Sequence, residues 1–595
     1  MSEQQYSGPD PPRQQVRDEH MTEPTTWRYR AGQRAQTLLL VHPRLTWPGR
    51  WLLQPLARDA QHAYALHRRR LHDAQDNTRY AVPDDETPML AAVWTVELYT
   101  PSSITGLLNG LRQHDWLRSG SGDDPGQWVQ RWRRNPGSGG IIPLTTIVPP
   151  NSGMGPGLGR IGGDVPDGFR AVNVTLLSVT STITGAIACF VPTDELAMRL
   201  AEELRREQQS AMPPSPSGGW WIHDVPYRKA AAADAVRQTA RSGATKWMGR
   251  YLPGVFAGGL LEGAAPTLDL VLLETVEPLA GDPAPTKSNR GWLELLGLDT
   301  SFDAWICQDV PGLKVTFGRP YWTDDATKHR YHLTLAAQRR QLFSDDELDD
   351  PKRRAPWELV WRLNADYLPA FATRWAVSGL LSGVESRLAR IRDLAEQSSH
   401  RRSTRMLNEL RGELLTVGLD GHIVAADVMD FTSEVTRYDR EVATFVETWT
   451  PAPPEVTRSV VPNGPLRPER RTPAVKRVTE AIRRLSLRIG SFRTRQASDS
   501  EPSVTLSARL REGQHERAEQ ILDDERQLRD VLVTTSNLAG AVTNLRLQIW
   551  VAVLAIISTI ATVLALYLSI TREPATAPTS VSTSTSLPAS RTSRS

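Results

Sequence analysis

One uncharged, apolar stretch near the C-terminus places the strongest constraint on this chain of 595 residues. It spans Leu547–Ile570, LQIWVAVLAIISTIATVLALYLSI, and no charged residue falls between Arg546 and Arg572. As a helix rising about 1.5 Å per residue, the stretch could cross about 30 Å of hydrocarbon. Trp550 and Tyr567 lie near its ends, where amphipathic rings suit the headgroup region. The stretch predicts one C-terminal transmembrane helix, and a buried helix of a large core is the alternative.

The residues that flank this stretch predict which side holds most of the chain. Arg526, Arg529 and Arg546 precede it closely, whereas Arg572 and the distant Arg591 follow it. This small bias of basic residues favours a cytoplasmic body. Residues 1–26 are polar and have no apolar core of a signal peptide, and two cysteines give no disulfide framework. We therefore expect a single-pass protein of the cell inner membrane with its bulk in the cytoplasm.

Composition and periodicity divide the remaining chain into segments. The predicted segments are a disordered N-terminus over 1–26, a first α+β domain over 27–230, a second over 231–350, a helical bundle over 356–449, a proline-rich linker over 450–473, a basic helix over 474–495, a stalk helix over 504–546 and a disordered tail over 571–595. The fold class predicted is therefore α+β, followed by a helical bundle, a coiled-coil stalk and one transmembrane helix.

The first α+β domain shows strand and helix patterns in an informative order. The predicted strands are Ala92–Thr100, Ala171–Thr180, Ile183–Val191 and Trp220–Tyr227, with one helix after Pro101 and one capped by Thr193. This β-α-β-β-α-β order matches the ferredoxin-like plait, with a long insertion over 118–169. Further strand patterns over 231–350 predict a second α+β domain.

The motifs that could carry chemistry lack the sequence context that their chemistry requires. Gly157–Gly162 spells G-x-G-x-x-G, but proline and glycine surround it instead of a strand and a helix. His329 and His332 would face opposite ways on a strand, and no metal-ligand spacing completes them. Cys189 and Cys307 lie in apolar runs that predict inert, buried thiols. We predict no catalytic, cofactor-binding or metal-binding residue, and the small net charge of +3 argues against a nucleic-acid partner.

The segment 474–495 has one apolar face and one strongly basic face. The basic residues predicted to contact a membrane surface are Lys476, Arg477, Arg483, Arg484, Arg488, Arg493 and Arg495. Such a helix suits an anionic leaflet, where each basic residue contributes on the order of 1 kcal/mol. Docking of this helix on the bundle and binding of nucleic acid are the alternatives.

The stalk segment carries apolar residues at heptad spacing. Leu528, Leu532 and Val542 belong to this seam, which continues into the membrane stretch at Leu547. The spacing predicts homo-oligomerisation through a parallel stalk. A single helix packed on its own domain is the alternative.

One resemblance concerns the helical region. The run Pro356–Asp366, PWELVWRLNAD, followed by a long helix, resembles the segment that opens the helical part of actinobacterial CATRA proteins, which are associated with caspase-like peptidases and TPR-repeat proteins in conflict systems. The resemblance covers about 40 residues. It implies a non-enzymatic component of a defence system in which a partner supplies the peptidase.

These observations predict a membrane-tethered signalling or adaptor component, acting in a conflict system with a partner peptidase. Two alternatives remain open from the sequence. One is an oligomerising effector that perturbs membranes. The other is an enzyme whose site lies unrecognised in the α+β region, which a cleft with convergent polar groups would favour.

Overall fold

The chain is described here from a computed structural model. The described residues are 27–41, 47–114, 125–135, 140–150, 160–212, 222–258, 265–280, 287–299, 304–317, 332–342, 360, 363–401, 412, 419–433, 444–447 and 505–571. Two compact units divide the chain: the first comprises Met1–Ile391 with Gly412–Asp524, and the second comprises Arg392–Arg411 with Glu525–Ser595.

The first unit mixes helices and strands, with three helices before the first strand and four strands in succession from β2 to β5. The strands are β1 Met89–Tyr99, β2 Ile141–Val148, β3 Arg160–Gly162, β4 Phe169–Ser178, β5 Thr184–Pro192, β6 Thr267–Leu273, β7 Ala304–Cys307, β8 Lys314–Thr316, β9 His332–Gln338 and β10 Phe445–Glu447. The helices are α1 Trp27–Val41, α2 Trp47–Arg70, α3 Asp73–Arg79, α4 Ile104–Gln113, α5 Pro125–Arg134, α6 Asp194–Arg205, α7 Val225–Tyr251, α8 Lys287–Leu296, α9 Arg339–Leu342, a π-helical turn Leu363–Tyr367, α10 Leu368–Arg401, α11 Leu419–Ser433 and α12 Leu506–Thr571, which continues into the second unit.

All ten described strands belong to one mixed sheet. Their order is β10-β7-β8-β9-β6-β1-β5-β4-β2-β3. The pairs β2–β3 and β6–β9 are parallel, and the other neighbouring pairs are antiparallel. Strand β1 lies near the middle, between β5 and β6.

Helices cover both faces of this sheet. On one face Val93 of β1 and Phe190 of β5 pack in a core with Trp247 of α7. On the other face the indole Nε1 of Trp94 donates a 3.0 Å hydrogen bond to Oδ1 of Asn364 in the π-helical turn. Because both faces are buried, β1 and β5 read as near-continuous apolar runs.

The ferredoxin-like plait predicted for residues 27–230 is wrong as the fold class. The sheet has ten strands, is mixed, and includes strands from both predicted α+β domains. The predicted strand Trp220–Tyr227 is replaced, from Val225 onward, by the start of α7. The carboxylate of Asp224 caps this helix by accepting from the N–H of Tyr227 at 3.2 Å, and Pro226 suits the first turn because it lacks an N–H. The strand beside β1 is instead β6.

The independent helical bundle predicted over 356–449 is also contradicted. Helix α10 contacts the sheet, since Cγ2 of Thr373 lies 3.4 Å from the position that a Cβ on Gly185 of β5 would take, and β10 adds a strand to the sheet edge by pairing with β7. The rings of Phe371 and Phe445 lie 4.8 Å apart, so α10 packs against that added strand. Helical periodicity alone could not tell a stripe that faces another helix from one that faces a sheet.

The first turns of the predicted stalk are docked on the first unit. In α12, Nε2 of Gln514 donates to the carbonyl of Arg374 at 2.6 Å, and Nη1 of Arg517 donates to Oγ of Ser382 at 2.9 Å. Of the three seam residues, Leu528 is buried, and the side chains of Leu532 and Val542 lie outside the described part. Oligomerisation through this segment stays a prediction.

The prediction of a transmembrane helix over Leu547–Ile570 is wrong, and with it the assignment to the inner membrane. Among the residues that the structure describes, no helix has the length and apolarity needed to cross a membrane. The stretch is the end of α12, a helix that begins at Leu506, and its side chains are described from Gln548 to Leu564. Trp550 is 68% exposed, and the side chains of Leu547, Tyr567 and Ile570 lie outside the described part.

Two predicted segments cannot be compared with the structure. The proline-rich linker over 450–473 and the basic helix over 474–495, with Lys476, Arg477, Arg483, Arg484, Arg488, Arg493 and Arg495, lie outside the described residues. Their membrane-surface role is therefore only a prediction from the sequence.

A buried ion cluster joins α7 to the centre of the sheet. Asp269 of β6 is fully buried, and its oxygens accept from Nε and Nη2 of Arg237 at 2.6 and 2.8 Å and from Nη2 of Arg241 at 2.6 Å. Burial alone would raise the pKa of Asp269, but the two guanidinium groups outweigh it and hold that pKa below its ordinary value. The carboxylate stays ionised and compensates two buried cations.

We expect the substitution Asp269→Asn to lower the free energy of unfolding by about 3–5 kcal/mol, because it removes the carboxylate that both buried guanidinium groups contact and leaves Arg241 with Asp234 at 3.7 Å in its place. Urea denaturation followed by circular dichroism measures this loss. The exposed Asp85 offers a control, since Asp85→Asn should change the value by less than about 0.5 kcal/mol. A loss below about 1 kcal/mol for Asp269→Asn would contradict the assigned role.

Candidate functional site

A pocket opens in the first unit where the C-terminal ends of α4 and α7 approach β2 and the edge strand β3. Its volume is about 230 Å³. The lining residues are His114, Ile147, Ile161, Gly162, Gly163, Asp164 and Tyr251. We call it the edge pocket. Its described lining combines two aliphatic side chains, two rings, one carboxylate and the backbone of two glycines.

Asp164, in the loop after β3, connects the pocket to α7. Its Oδ2 accepts from the hydroxyl of Tyr251 at 2.8 Å and from Nη1 of Arg250 at 2.9 Å. Its backbone carbonyl accepts from Nε1 of Trp247 at 2.8 Å. Residues three and four apart share one helix face, so the last turn of α7 holds this loop with three side chains.

Aromatic contacts fix the ring of Tyr251 as a wall of the pocket. Its centroid lies 4.7 Å from the ring of Trp247 in a stacked arrangement and 4.6 Å from the imidazole of His114 in a tilted one. The guanidinium carbon of Arg250 lies 5.3 Å from the same centroid. Contacts on several sides therefore fix the ring and its hydroxyl in place.

The polar groups around the pocket balance in charge. Burial, and then the nearby charge of Arg250, lower the pKa of His114, so its imidazole is neutral at pH 7. Burial and the hydrogen bond to Asp164 raise the pKa of Tyr251, so its phenol keeps its proton. Asp164 and Arg250 form an ion pair. These four groups together carry no net charge.

Glycines of α4 allow it to pack directly on the backbone that follows Tyr251. A Cβ placed on Gly110 would lie 2.3 Å from the carbonyl oxygen of Tyr251, and one on Gly106 would lie 2.3 Å from that of Pro253. The hydroxyl of Tyr99 donates to the carbonyl of Leu252 at 2.7 Å. The end of α7 is therefore fixed by close backbone contact as well as by hydrogen bonds.

Glu97 of β1 holds the segment 252–257 from the other side. Its fully buried carboxylate accepts from the backbone N–H groups of Phe256 and Ala257, both at 2.7 Å. Burial raises the pKa of Glu97 to about 7, and the backbone N–H bonds limit that rise. A Cβ on Gly254 would lie 2.4 Å from Cγ of Glu97, so this segment fits closely over the carboxylate. We call Glu97 and the segment 252–257 the clamp.

Of the residues predicted from the sequence as a membrane, surface or stalk site, those whose side chains the structure describes do not line the edge pocket. The predicted candidates for chemistry are also placed elsewhere: Cys189 and Cys307 are buried, with pKa values raised by burial, and His332 contacts Thr267 on the neighbouring strand. Within the described ranges, no group of three or more His, Cys, Asp or Glu side chains could hold a metal ion.

One weak sequence signal does reach the pocket. The motif Gly157–Gly162 ends at Gly162, which lines it, although Gly157–Gly159 lie outside the described residues. Arg160–Gly162 is strand β3, and the next element is strand β4 instead of the helix that a dinucleotide fingerprint requires. His114, Asp164 and Tyr251 are distant in sequence, so no motif could have linked them.

The fold and the pocket define a mixed-sheet protein with helices on both faces and a small polar pocket beside the edge strand β3. Comparison with known proteins finds no matching family model, no matching curated protein and no matching solved structure.

We expect Gly110→Ala to lower the free energy of unfolding by about 1–3 kcal/mol, although alanine is the better helix former, because its methyl group collides with the carbonyl of Tyr251. Gly513 is the matched control: it is helical, and no atom lies within 4 Å of the position that an alanine methyl group would take there. Gly513→Ala should therefore stabilise the chain by up to about 1 kcal/mol. Urea denaturation measures both. Equal effects of the two substitutions would contradict the close packing.

Stability should depend on pH through Glu97. Its pKa rises from 4.5 to about 7 in the folded chain, so its contribution to stability is complete below pH 4.5 and is lost as the pH rises through about 7. We expect this group to lower the free energy of unfolding by on the order of 3 kcal/mol across that window. Urea denaturation at a series of pH values measures the slope.

Glu97→Gln should flatten the pH dependence in this window, because glutamine does not titrate. The exposed Glu202 of α6 provides the control, and Glu202→Gln should leave the slope unchanged. A slope that survives Glu97→Gln would show that another group is responsible.

Proposed function

We propose that this chain is a non-enzymatic sensor and adaptor, in which a small molecule bound in the edge pocket controls the binding of a protein partner. The proposal rests on one observation: the pocket wall and the clamp are adjacent along the chain. Tyr251 is a pocket wall, and the next residues form the segment that Glu97 and Tyr99 hold. A ligand that moves Tyr251 would therefore act on a segment whose backbone is fixed at several points.

The roles of the buried carboxylates support a binding function over catalysis. Glu86 accepts from the backbone N–H groups of Glu274, Thr275 and Val276, at 2.6, 3.0 and 2.8 Å. Asp73 accepts from the N–H and the hydroxyl of Ser210 at 2.8 and 2.6 Å. Like Glu97, these carboxylates hold loops in place, and their oxygens accept hydrogen bonds from the chain itself.

The resemblance around Pro356–Asp366 supports the choice of partner. It implies a conflict system in which the partner is a caspase-like peptidase. Part of this run forms the π-helical turn, where Asn364 links Trp94 of β1 to Asn173 of β4 through hydrogen bonds. A π-helical turn costs backbone regularity and often occurs at functional positions. The run therefore has a specific packing role on the sheet.

The test uses the purified full chain and a caspase-like peptidase encoded in the same genome. We expect the two to form a complex in size-exclusion chromatography with light scattering, and the full chain to change the rate of fluorogenic peptide hydrolysis by about fivefold or more, which corresponds to about 1 kcal/mol. Tyr251→Ala should reduce this change. Tyr64→Ala, at an exposed tyrosine of α2, should leave it intact.

Two results would contradict the adaptor proposal. One is a peptidase rate that equimolar full chain leaves unchanged, with no complex formed. The other is hydrolysis of the peptide by the chain alone, which would favour an enzyme.

The light-scattering mass of the chain alone also tests self-association through residues 504–546.

A further inference from the structure

The docked part of α12 lies beside α10, and the two helices run in the same direction. Gln514 of α12 contacts Ser378 of α10, and Arg517, three residues further on, contacts Ser382. We propose that α12 docks on α10 in two registers one helical turn apart: the described register, and a second one in which α12 lies about 5.4 Å further along α10. The shift needs no ligand in the edge pocket, so it is independent of the proposed sensor function.

The sequence of α10 repeats with a period of one helical turn where α12 docks. Residues 378–381 read SGLL, residues 382–385 read SGVE, and Ser386 begins a third step. Residues four apart lie on one face of a helix, so Ser378, Ser382 and Ser386 form a ladder of hydroxyl groups along α10. We call these three residues the serine ladder. A surface that repeats every four residues offers a partner helix similar contacts after a shift of one turn.

The polar contacts of the described register use the first two steps of the serine ladder. Nε2 of Gln514 donates to the carbonyl of Arg374 at 2.6 Å and to Oγ of Ser378 at 2.8 Å. Nη1 of Arg517 donates to Oγ of Ser382 at 2.9 Å. Both kinds of acceptor recur one turn later, because every residue of α10 has a carbonyl and the serine ladder supplies the next hydroxyl.

The second register uses the last two steps of the serine ladder. In it, Gln514 donates to the carbonyl of Ser378 and to Oγ of Ser382. Arg517 then donates to Oγ of Ser386. This residue is exposed, and its hydroxyl donates to the carbonyl of Ser382 at 2.8 Å, so its oxygen can still accept from a guanidinium. The shift therefore replaces each of these polar contacts with one of the same kind.

Contacts with other elements favour the described register. Oγ1 of Thr432 in α11 lies 2.9 Å from Nδ1 of His515 in α12. A β-bridge joins Thr505, just before α12, to Val446 of β10. Neither contact follows the four-residue repeat of α10, so a shift of one turn breaks both. The second register is therefore the less populated one, and loss of these contacts should increase its share.

The experiment measures distances between nitroxide labels in the full chain by double electron–electron resonance. The labels are attached at Glu512→Cys, at an exposed position of α12, and at Ala389→Cys, at an exposed position of α10. The native Cys189 and Cys307 are buried. We expect a main distance and a second distance that is shorter by up to about 5 Å, because the shift moves residue 512 toward residue 389.

A control pair tests whether α10 itself moves. Its labels are attached at Glu202→Cys, at an exposed position of α6, and at Ala389→Cys. Neither position belongs to α12, so this pair should give one distance.

Two variants of the serine ladder distinguish the registers. Ser378→Ala removes a hydroxyl that only the described register uses, and it should raise the ratio of the shorter to the longer distance about fivefold, the effect of one net hydrogen bond. Ser386→Ala removes a hydroxyl that only the second register uses, and it should lower that ratio by a similar factor. Thr432→Val keeps the shape of the side chain but removes its contact with His515, and it should raise the ratio. Circular dichroism melting curves confirm that each variant is folded.

The proposal is overturned if the labelled chain and its Ser378→Ala variant both give a single distance. It is also overturned if Ser378→Ala and Ser386→Ala change the ratio in the same direction. A second distance that appears in the control pair as well would show that α10 moves, and this result would reject a shift of α12 on α10. A shorter distance that responds in opposite directions to the two serine variants supports the two registers.

Discussion

Strand β1 is paired on both edges and covered on both faces, and the described first unit is built around this double burial. Its edges pair with β5 and β6, while Val93 and Trp94 pack into opposite layers. A strand in this position has no solvent-facing side, so any polar side chain on it needs a partner inside the protein. Glu97 is such a side chain, and its partners are the backbone N–H groups of Phe256 and Ala257.

Carboxylates also bind the turns at the ends of the strands, where backbone N–H groups would otherwise lack a hydrogen-bond partner. Asp427 of α11 accepts from the hydroxyl of Thr180 at 2.7 Å and from the N–H of Thr182 at 3.0 Å, in the turn between β4 and β5. Each such bond satisfies a donor that has no place in the strand ladder. Helix α11 is thereby positioned on the strand ends through specific polar contacts as well as through apolar burial, which is non-directional.

Local features could be predicted from the sequence, and long-range ones could not. The β-rich runs Ala92–Thr100, Ala171–Thr180 and Ile183–Val191 locate the buried strands β1, β4 and β5, and Thr193 caps α6 by accepting from the N–H of Leu196 at 3.4 Å. To predict the fold class, one must know that β6 pairs with β1 and that β10 pairs with β7. Both pairings join residues far apart in sequence, so no local pattern indicates them. An apolar run also has the same composition whether it ends a long helix or crosses a membrane, so the stretch after Arg546 favoured a span that the described structure does not support.

The edge pocket illustrates why a site can escape sequence reasoning even when every residue in it is ordinary. His114 ends α4, Asp164 follows β3 and Tyr251 ends α7. The close packing of Gly110 on the Tyr251 carbonyl and the hydrogen bond from Tyr251 to Asp164 help to bring them together. The glycine that permits this approach has no side chain to signal it in a motif. Glu97 of β1 accepts hydrogen bonds from the segment that follows Tyr251. These bonds connect the central strand to the residues next to the pocket wall. Burial of β1 therefore bears on the proposed function, because the strand at the centre of the sheet also holds the segment that follows the pocket wall.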